Sequence, residues 1–469
     1  MGQYRKELEK EVEAVFEEWQ RSVLSFPKEI ENARDMLNFH IIPGYDGRAN
    51  YLNRQGFEHF RCAAQLLLAE LQLQRRVSIS TAKHHLGAAL GREIERAFKT
   101  HRLSETAVIG RAKQNLQSLR WSDGAYIFPA VFAPQAVATD FRIGCARIVS
   151  KNILLDEKRE TLVREKTERS DDPLRVVDRW ENYIQRYDHF IVIEMKGFEW
   201  DMAWAAAREA AEYVLNIFRM SFTYGATKWM KLAGESIWDE TWTAVMIGAD
   251  DAISYQTQQG PWGSHLHDGW VQTFDEWEGR YSWLFAGYLD LITGHNIPQS
   301  PITLRILYAS RLIAEAYCEP HDHMRLVRLI SALETLAVLE GGKSEELARR
   351  CGLAGGWSSN EYRQEIETAV TEAYKRRNAI VHGDPEAMKD YQMAFLKLEN
   401  NLSRIFIGFS LLYIGIHESE KPRHIKELRR AMKKKIEPFF HDAATARNLP
   451  EEAHAKVKED LRVSPATPG

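Results

Sequence analysis

The sequence predicts a mainly α-helical protein with a mixed α/β region in its middle. Three observations carry this. Apolar residues recur at helical spacing near the start (Val12, Phe16, Trp19) and far more regularly near the end. There, Met388, Tyr391, Phe395, Leu398, Leu402, Ile405, Phe409, Leu412 and Ile416 alternate three and four apart. Between these regions the period changes to short β-like runs, and ten of the thirteen tryptophans fall between Trp180 and Trp283.

Residues 1–118 form the first expected region, all helical. Phe60, Ala64, Leu67 and Leu71 mark a second helix, a loop with Pro43-Gly44 and Gly47 precedes it, and a third segment runs from Ser80 to His101. Residues 119–298 form the mixed α/β region, with strands expected at 126–132, 141–149 and 189–195 and helices around 154–169 and 202–222. Its tryptophans suit an aromatic core. They also suit a sensing or stacking pocket, because flat ligands favour indole faces. Residues 299–420 return to helix, at 301–318, 321–340, 343–352, 359–382 and 385–417. Residues 421–469 read as a basic helix and a frayed tail. Between Lys421 and Lys435 eight lysines and arginines face the single carboxylate of Glu427. That stretch is either a solvated terminal helix or an arm for phosphates.

The whole-chain bounds are modest. The 469 residues suffice for two to three domains. A formal net charge of −4 argues against a general nucleic-acid coat, so any RNA contact must be local. Four scattered cysteines (Cys62, Cys145, Cys318, Cys351) form no C-x-x-C pair and fit a reducing compartment. The N-terminus is a charged amphipathic helix unlike a signal peptide, and no apolar run reaches 18 residues. A soluble cytoplasmic protein with no membrane partner is expected.

The chemistry concentrates at Tyr374-Lys375-Arg376-Arg377-Asn378-Ala379-Ile380-Val381-His382-Gly383-Asp384-Pro385. Gly383 can end a helix in the left-handed region. Asp384 and Pro385 suit the N-cap and first position of the next one. The helix before this corner has an apolar stripe at Tyr362, Ile366, Val370, Ala373 and Ile380, and Arg377 falls within its phase. A charge on an inward face needs a partner or a purpose. Asn378 lies one turn from His382 and can bond its imidazole. The long apolar seam that follows suits a second helix, from this chain or from a second copy. The same Arg-to-His spacing recurs at Arg54–His59 and Arg96–His101 without such context.

With its Arg377-Asn378-x-x-x-His382 signature, the corner resembles the R-x4–6-H motif of HEPN (higher eukaryotes and prokaryotes nucleotide-binding) domains. The Apea-like branch is the most similar. There, a helix like Leu329–Leu336 precedes a Tyr-x-x-Arg-Asn-x-x-x-His-Gly corner, matched by Tyr374, Arg377, Asn378, His382 and Gly383. The resemblance covers about residues 300–420. Arg376 also satisfies the looser spacing, and the tyrosine of the toxin-type R-x4-H-x-Y branch is missing. The resemblance implies a C-terminal helical bundle that dimerises. It further implies metal-independent cleavage of RNA, tRNA among the candidates, in anti-phage defence or abortive infection, with a phage-derived trigger. It assigns catalysis to Arg377, Asn378 and His382, with Tyr374, Arg376 and Glu334 in support. Glu334 is either an orienting partner for Arg377 or a half-exposed helix carboxylate. The alternative is a non-catalytic dimeric binding or sensor protein.

No cofactor or metal is expected. His265 and His267 would share one side of a strand, and His321 and His323 are close, but no further ligand follows at a known spacing. Phosphate-loop and dinucleotide fingerprints are absent from the sequence.

Overall fold

A computed structural model describes residues 2–29, 39–43, 49–100, 103–132, 139–157, 159, 187–222, 224–227, 230–232, 242–247, 253–258, 270–294, 300–319, 321–339, 344–357, 359–389 and 391–445. The chain is mostly helical with a small antiparallel sheet in its middle. It divides into two compact units. One comprises Met1–Ala125 with Glu194–Ala207, and the other Tyr126–Ile193 with Arg208–Gly469.

In the first unit, α1 (Gly2–Glu29), α2 (Arg54–Glu70), α3 (Ile79–Thr100) and α4 (Glu105–Gln117) share one core. Leu8, Val12 and Val15 meet Phe60, Ala64 and Leu67, then Leu86, Leu90 and Leu116. Two strands that the all-helical expectation did not contain pair antiparallel, β1 (Phe39–Pro43) with β2 (Ala49–Asn53), and Gly44 and Gly47 of the expected loop lie outside the described residues. The segment 194–207 is held at the start of α3. The Glu199 carboxylate accepts from the Ser78 amide at 2.6 Å and from the Thr81 hydroxyl, which supplies an anion to a helix N-terminus. Arg76 donates to the Gly197 carbonyl at 2.5 Å and lies 4.2 Å from the Trp121 ring centroid.

In the second unit the sheet runs β4-β5-β6-β3-β7, from β3 (Gly124–Val131), β4 (Asp140–Ile143), β5 (Ala146–Ser150), β6 (His189–Met195) and β7 (Lys231–Leu232). The expected single strand at 141–149 is in fact two, β4 and β5, paired antiparallel. The turn is made by Gly144, whose φ of +55° only glycine adopts cheaply. A further hairpin joins β8 (Trp242–Ile247) to β9 (Ile253–Gln258). Helices α5 (Trp200–Ser221), α6 (Tyr224–Thr227) and α7 (Trp270–Thr293) accompany the sheet. Phe218 stacks on Phe274 at 4.1 Å, and Phe132 meets Phe218 edge-on at 4.6 Å. Of the tryptophan-rich stretch, Trp180, Trp229, Trp238 and Trp262 lie outside the described residues. Trp200 and Trp204 stand exposed and stacked on each other.

The helical part of this unit is α8 (Pro301–Cys318), α9 (Asp322–Ala337), α10 (Ser344–Gly355), α11 (Asn360–Val381), α12 (Pro385–Lys389), α13 (Gln392–Glu420) and α14 (Ile425–Thr445). The continuous helix expected over 385–417 is instead α12 and α13, and the apolar spacing runs straight across the break. From Tyr391 to Ile416 the seam residues are all buried. They are covered by α9, α10, α11 and α14 of the same chain, so the seam builds this bundle. Phe406, Ile407 and Tyr413 bury other faces of α13, which makes it the central helix. Gly408 lets it touch α10, since a Cβ there would sit 1.8 Å from the Ala354 carbonyl oxygen. The basic helix expected after 421 is α14, packed through Leu428, Met432 and Ile436. The expected frayed tail at 448–469 lies outside the described residues.

Candidate active site

The corner forms where its residues dictate. Ser359 caps α11, accepting from the Glu361 amide at 3.2 Å. At the other end the chain reverses through a Schellman motif. The Asp384 amide reaches the Ala379 carbonyl at 2.9 Å, and the Gly383 amide reaches Ile380 at 3.0 Å. Gly383 takes φ +80°, and the Asp384 carboxylate then accepts from the Glu386 amide at 2.9 Å to start α12. His382 is therefore the C-cap residue of α11, its own amide bonded to the Asn378 carbonyl at 2.9 Å.

Ile366, Val370, Ala373 and Ile380 are buried, and Arg377 follows their phase into a half-buried position. Its Nη1 donates to Asn378 Oδ1 at 3.0 Å, and its guanidinium carbon lies 5.9 Å from the Tyr374 ring centroid. Its Nε is enclosed and has no hydrogen-bond partner. Tyr374 is buried, and its phenol lies close enough to the Glu334 carboxylate of α9 to feel its charge. Burial holds the Tyr374 phenol above its ordinary pKa, the negative Glu334 adds to this, and Arg377 opposes it.

The helix that carries Glu334 is itself fixed. Its last carbonyls are capped from three other helices. Arg305 donates to Thr335 at 2.9 Å, Tyr413 donates to Leu336, and Arg350 donates to Ala337 at 2.6 Å. Val338 then leaves the helix in the left-handed region at φ +54°.

The structure thus joins Glu334, Tyr374, Arg377 and Asn378 into one chain of contacts, and it leaves His382 outside. Of its two readings, Glu334 fits the half-exposed helix carboxylate: it lies beside Tyr374 and makes no ion pair with Arg377 among the described residues. The Asn378 amide oxygen serves Arg377 where a bond to the imidazole was expected. Among the described residues the His382 ring makes no hydrogen bond or ion pair, and it is exposed. Five residues at about 100° each set His382 roughly 140° around the helix from Arg377. Arg376 is half-buried beside them.

One feature of the corner was not apparent from the sequence. Val381 is 54 % exposed, Met393 61 % and Leu396 46 %. Helices α11 and α13 run antiparallel, pairing Glu372 with Lys397 at 2.9 Å and Glu365 with Asn401 at 3.3 Å. All three apolar side chains therefore stand at the corner's end of this pair. Met393 and Leu396 are three apart and off the buried seam, which is the only signal the sequence held.

Metal ligation finds little. His265 and His267 lie outside the described residues. The His321 and His323 rings are 6.3 Å apart, and no group of three or more potential ligands occurs among the described residues. No helix among them is long and apolar enough to cross a membrane. No family model, curated protein or solved structure matches the chain.

Proposed function

We propose that the chain is a metal-independent endoribonuclease, and that the corner supplies half of its active site. One observation carries this reading. A helix end holds an exposed imidazole at its cap, five residues beyond an inward arginine whose Nε lacks a partner among the described residues. The reaction needs a group that exchanges protons near neutral pH, and His382 is of that type. It also needs a fixed cation against the charge that develops on phosphorus, and Arg377 is that cation.

In the proposed step a ribose 2′-oxygen attacks the adjacent phosphorus, and its proton passes to one imidazole. The bond from phosphorus to the 5′-oxygen breaks, and a second imidazole protonates the leaving oxygen. The products are a 2′,3′-cyclic phosphate and a free 5′-hydroxyl. Two imidazoles require two copies of the chain, and the apolar Val381, Met393 and Leu396 beside the corner suit such a pairing. The partner copy would bring the second His382 to the phosphate. Asn378 steadies Arg377, and the Glu334–Tyr374 pair fixes the floor on which that arginine rests. A cytoplasmic role in anti-phage defence, with tRNA among the targets and a phage component as trigger, is the context proposed for this chemistry.

The test is incubation of the purified chain with total RNA in EDTA, followed by sequencing of new ends. Wild type should generate cyclic-phosphate ends. His382→Ala should lower the rate by roughly 10²–10⁴, the usual loss when a general acid/base is removed. Equal cleavage by His382→Ala would sink the reading.

A second reading is favoured by the imidazole's lack of support from Asn378: a non-catalytic dimeric binding or sensor protein. It expects RNA or protein binding without new ends, and overexpression that is equally harmless with or without His382.

A further inference from the structure

Helix α14 sorts its cations. Leu428, Ala431, Met432 and Ile436 face the bundle. Lys434 and Lys435 pair with Glu420 at 3.1 and 3.8 Å, and the nearby Glu437 is taken by Arg349. Lys426, Arg430 and Lys433 are left exposed on one face, at positions i, i+4 and i+7, and they span about 60° of arc. Arg423 is exposed just before the helix, where its backbone amide donates to Glu427 at 2.7 Å and its charge helps hold that carboxyl below its ordinary pKa. None of these four side chains makes an ion pair or hydrogen bond among the described residues. Surface cations in a chain of net charge −4 ordinarily find carboxylates nearby, and here Glu420 and Glu437 are paired with other cations while Glu427 accepts from a backbone amide.

We infer that this face is a docking site for the phosphate backbone of RNA, separate from the corner. The inference rests on the ribonuclease reading for the kind of polyanion. Charge complementarity selects the occupant, because spaced, unpaired cations along a helix match the spaced charges of a nucleic-acid strand and displace its counterions. Position adds a constraint. Glu420, which binds Lys434, ends α13, whereas Gln392 begins it beside the corner. A helix of 29 residues is about 43 Å long. An RNA that touches both ends must span that distance, on the order of a dozen phosphates along one strand of a duplex. The substrate class is therefore a structured or extended RNA of at least that reach. A short oligonucleotide can occupy the corner but cannot reach the basic face.

The test measures binding with cleavage disabled. Full-length His382→Ala is titrated by fluorescence anisotropy with a labelled hairpin of about 30 nucleotides and, separately, with a hexanucleotide. The same is done after adding Arg423→Gln, Lys426→Gln, Arg430→Gln and Lys433→Gln together. A control carries Lys434→Gln and Lys435→Gln, whose cations are already paired. The four-fold variant should bind the hairpin about 10–100-fold more weakly near 50 mM salt. Its slope of log K against log salt should be shallower by about 3, the share of four phosphate contacts. Hexanucleotide affinity should be unchanged, and the control should lose far less. The four positions are exposed, so urea midpoints should not move. Should the four-fold variant unfold early, the pair Lys426→Gln and Lys433→Gln should still flatten the slope by about half as much. Equal hairpin affinity and slope would overturn the inference. So would binding of the intact face to phosphatidylserine vesicles and not to RNA. If wild type cuts no RNA yet the four-fold variant loses hairpin binding, the ribonuclease reading fails and the docking site stands.

Discussion

Arg350 and Arg377 turn inward on adjacent helices of one bundle, and their surroundings differ in kind. Arg350 is 8 % exposed and bonded on two sides. It donates to the Ala337 carbonyl at 2.6 Å and to Glu346 at 2.6 Å. It is a helix cap that carries its own counterion. Arg377 is less buried, yet it is worse served. It has one neighbouring amide, a ring at 5.9 Å and an enclosed Nε with no acceptor. An inward arginine is therefore not by itself a site. The difference lies in whether the protein has already supplied everything the guanidinium can bind. Where it has, the arginine stabilises; where it has not, a ligand can complete the set.

Exchanging the two arginines' fates gives the largest expected contrast. Arg350→Ala leaves the Ala337 carbonyl uncapped in the bundle interior and should lower stability by about 2–3 kcal/mol. Cleavage per folded molecule should not change. Arg377→Ala breaks no ion pair and should cost less than about 1 kcal/mol, while cleavage falls by on the order of 10³, about 4 kcal/mol of barrier. Urea unfolding and single-turnover cleavage on both variants measure this. If both lose stability alike and neither loses activity beyond its unfolded fraction, the distinction collapses.

The Arg377 half of this contrast was legible in the sequence, for reasons that can be named. Ile366, Val370, Ala373 and Ile380 set the phase that turns Arg377 inward, and local periodicity suffices for that. Gly383-Asp384-Pro385 spelled out the corner because stop and start signals are also local. What failed was long-range or hidden by good spacing. Gly144 interrupted an otherwise convincing strand, and its role as a turn shows only in its φ. The heptad from Met388 onward is blind to the break between α12 and α13. Three caps on α9 come from Arg305, Arg350 and Tyr413, up to 77 residues away from the carbonyls they serve. No window contains such a pairing. Glu334 lies beside Tyr374, and periodicity alone could not say which residue of the corner it would face.

That choice supplies the next contrast. Tyr374→Phe keeps the ring near Arg377 and removes only the hydroxyl that lies beside Glu334. Loss of this hydroxyl should cost about 1 kcal/mol or less. If the pair positions Arg377, cleavage should fall several-fold through kcat with KM little changed, and Glu334→Gln should behave similarly. A stability loss with kcat intact would make the pair purely structural.

The smallest effect probes why Arg350 is content. The Arg349 hydrogen bond, then that of Arg350, holds the Glu346 carboxyl down from 4.5 to about 2. The unfolded chain takes up this proton first as pH falls. Stability from the carboxylate is thus complete above about pH 4.5 and drains away as pH drops towards 2. Glu346→Gln cannot titrate, so its deficit against wild type should be largest at neutral pH and shrink below pH 4.5. Solvent screens the cluster, which keeps the neutral-pH deficit to about 1 kcal/mol or less. Urea midpoints of both proteins at pH 7, 4.5 and 3 would read it. A deficit that stays constant down to pH 3 would mean that Arg349 and Arg350 gain nothing from the charge on Glu346. The repose of Arg350 would then come from the Ala337 carbonyl alone, and the contrast with Arg377 would narrow to a single hydrogen bond.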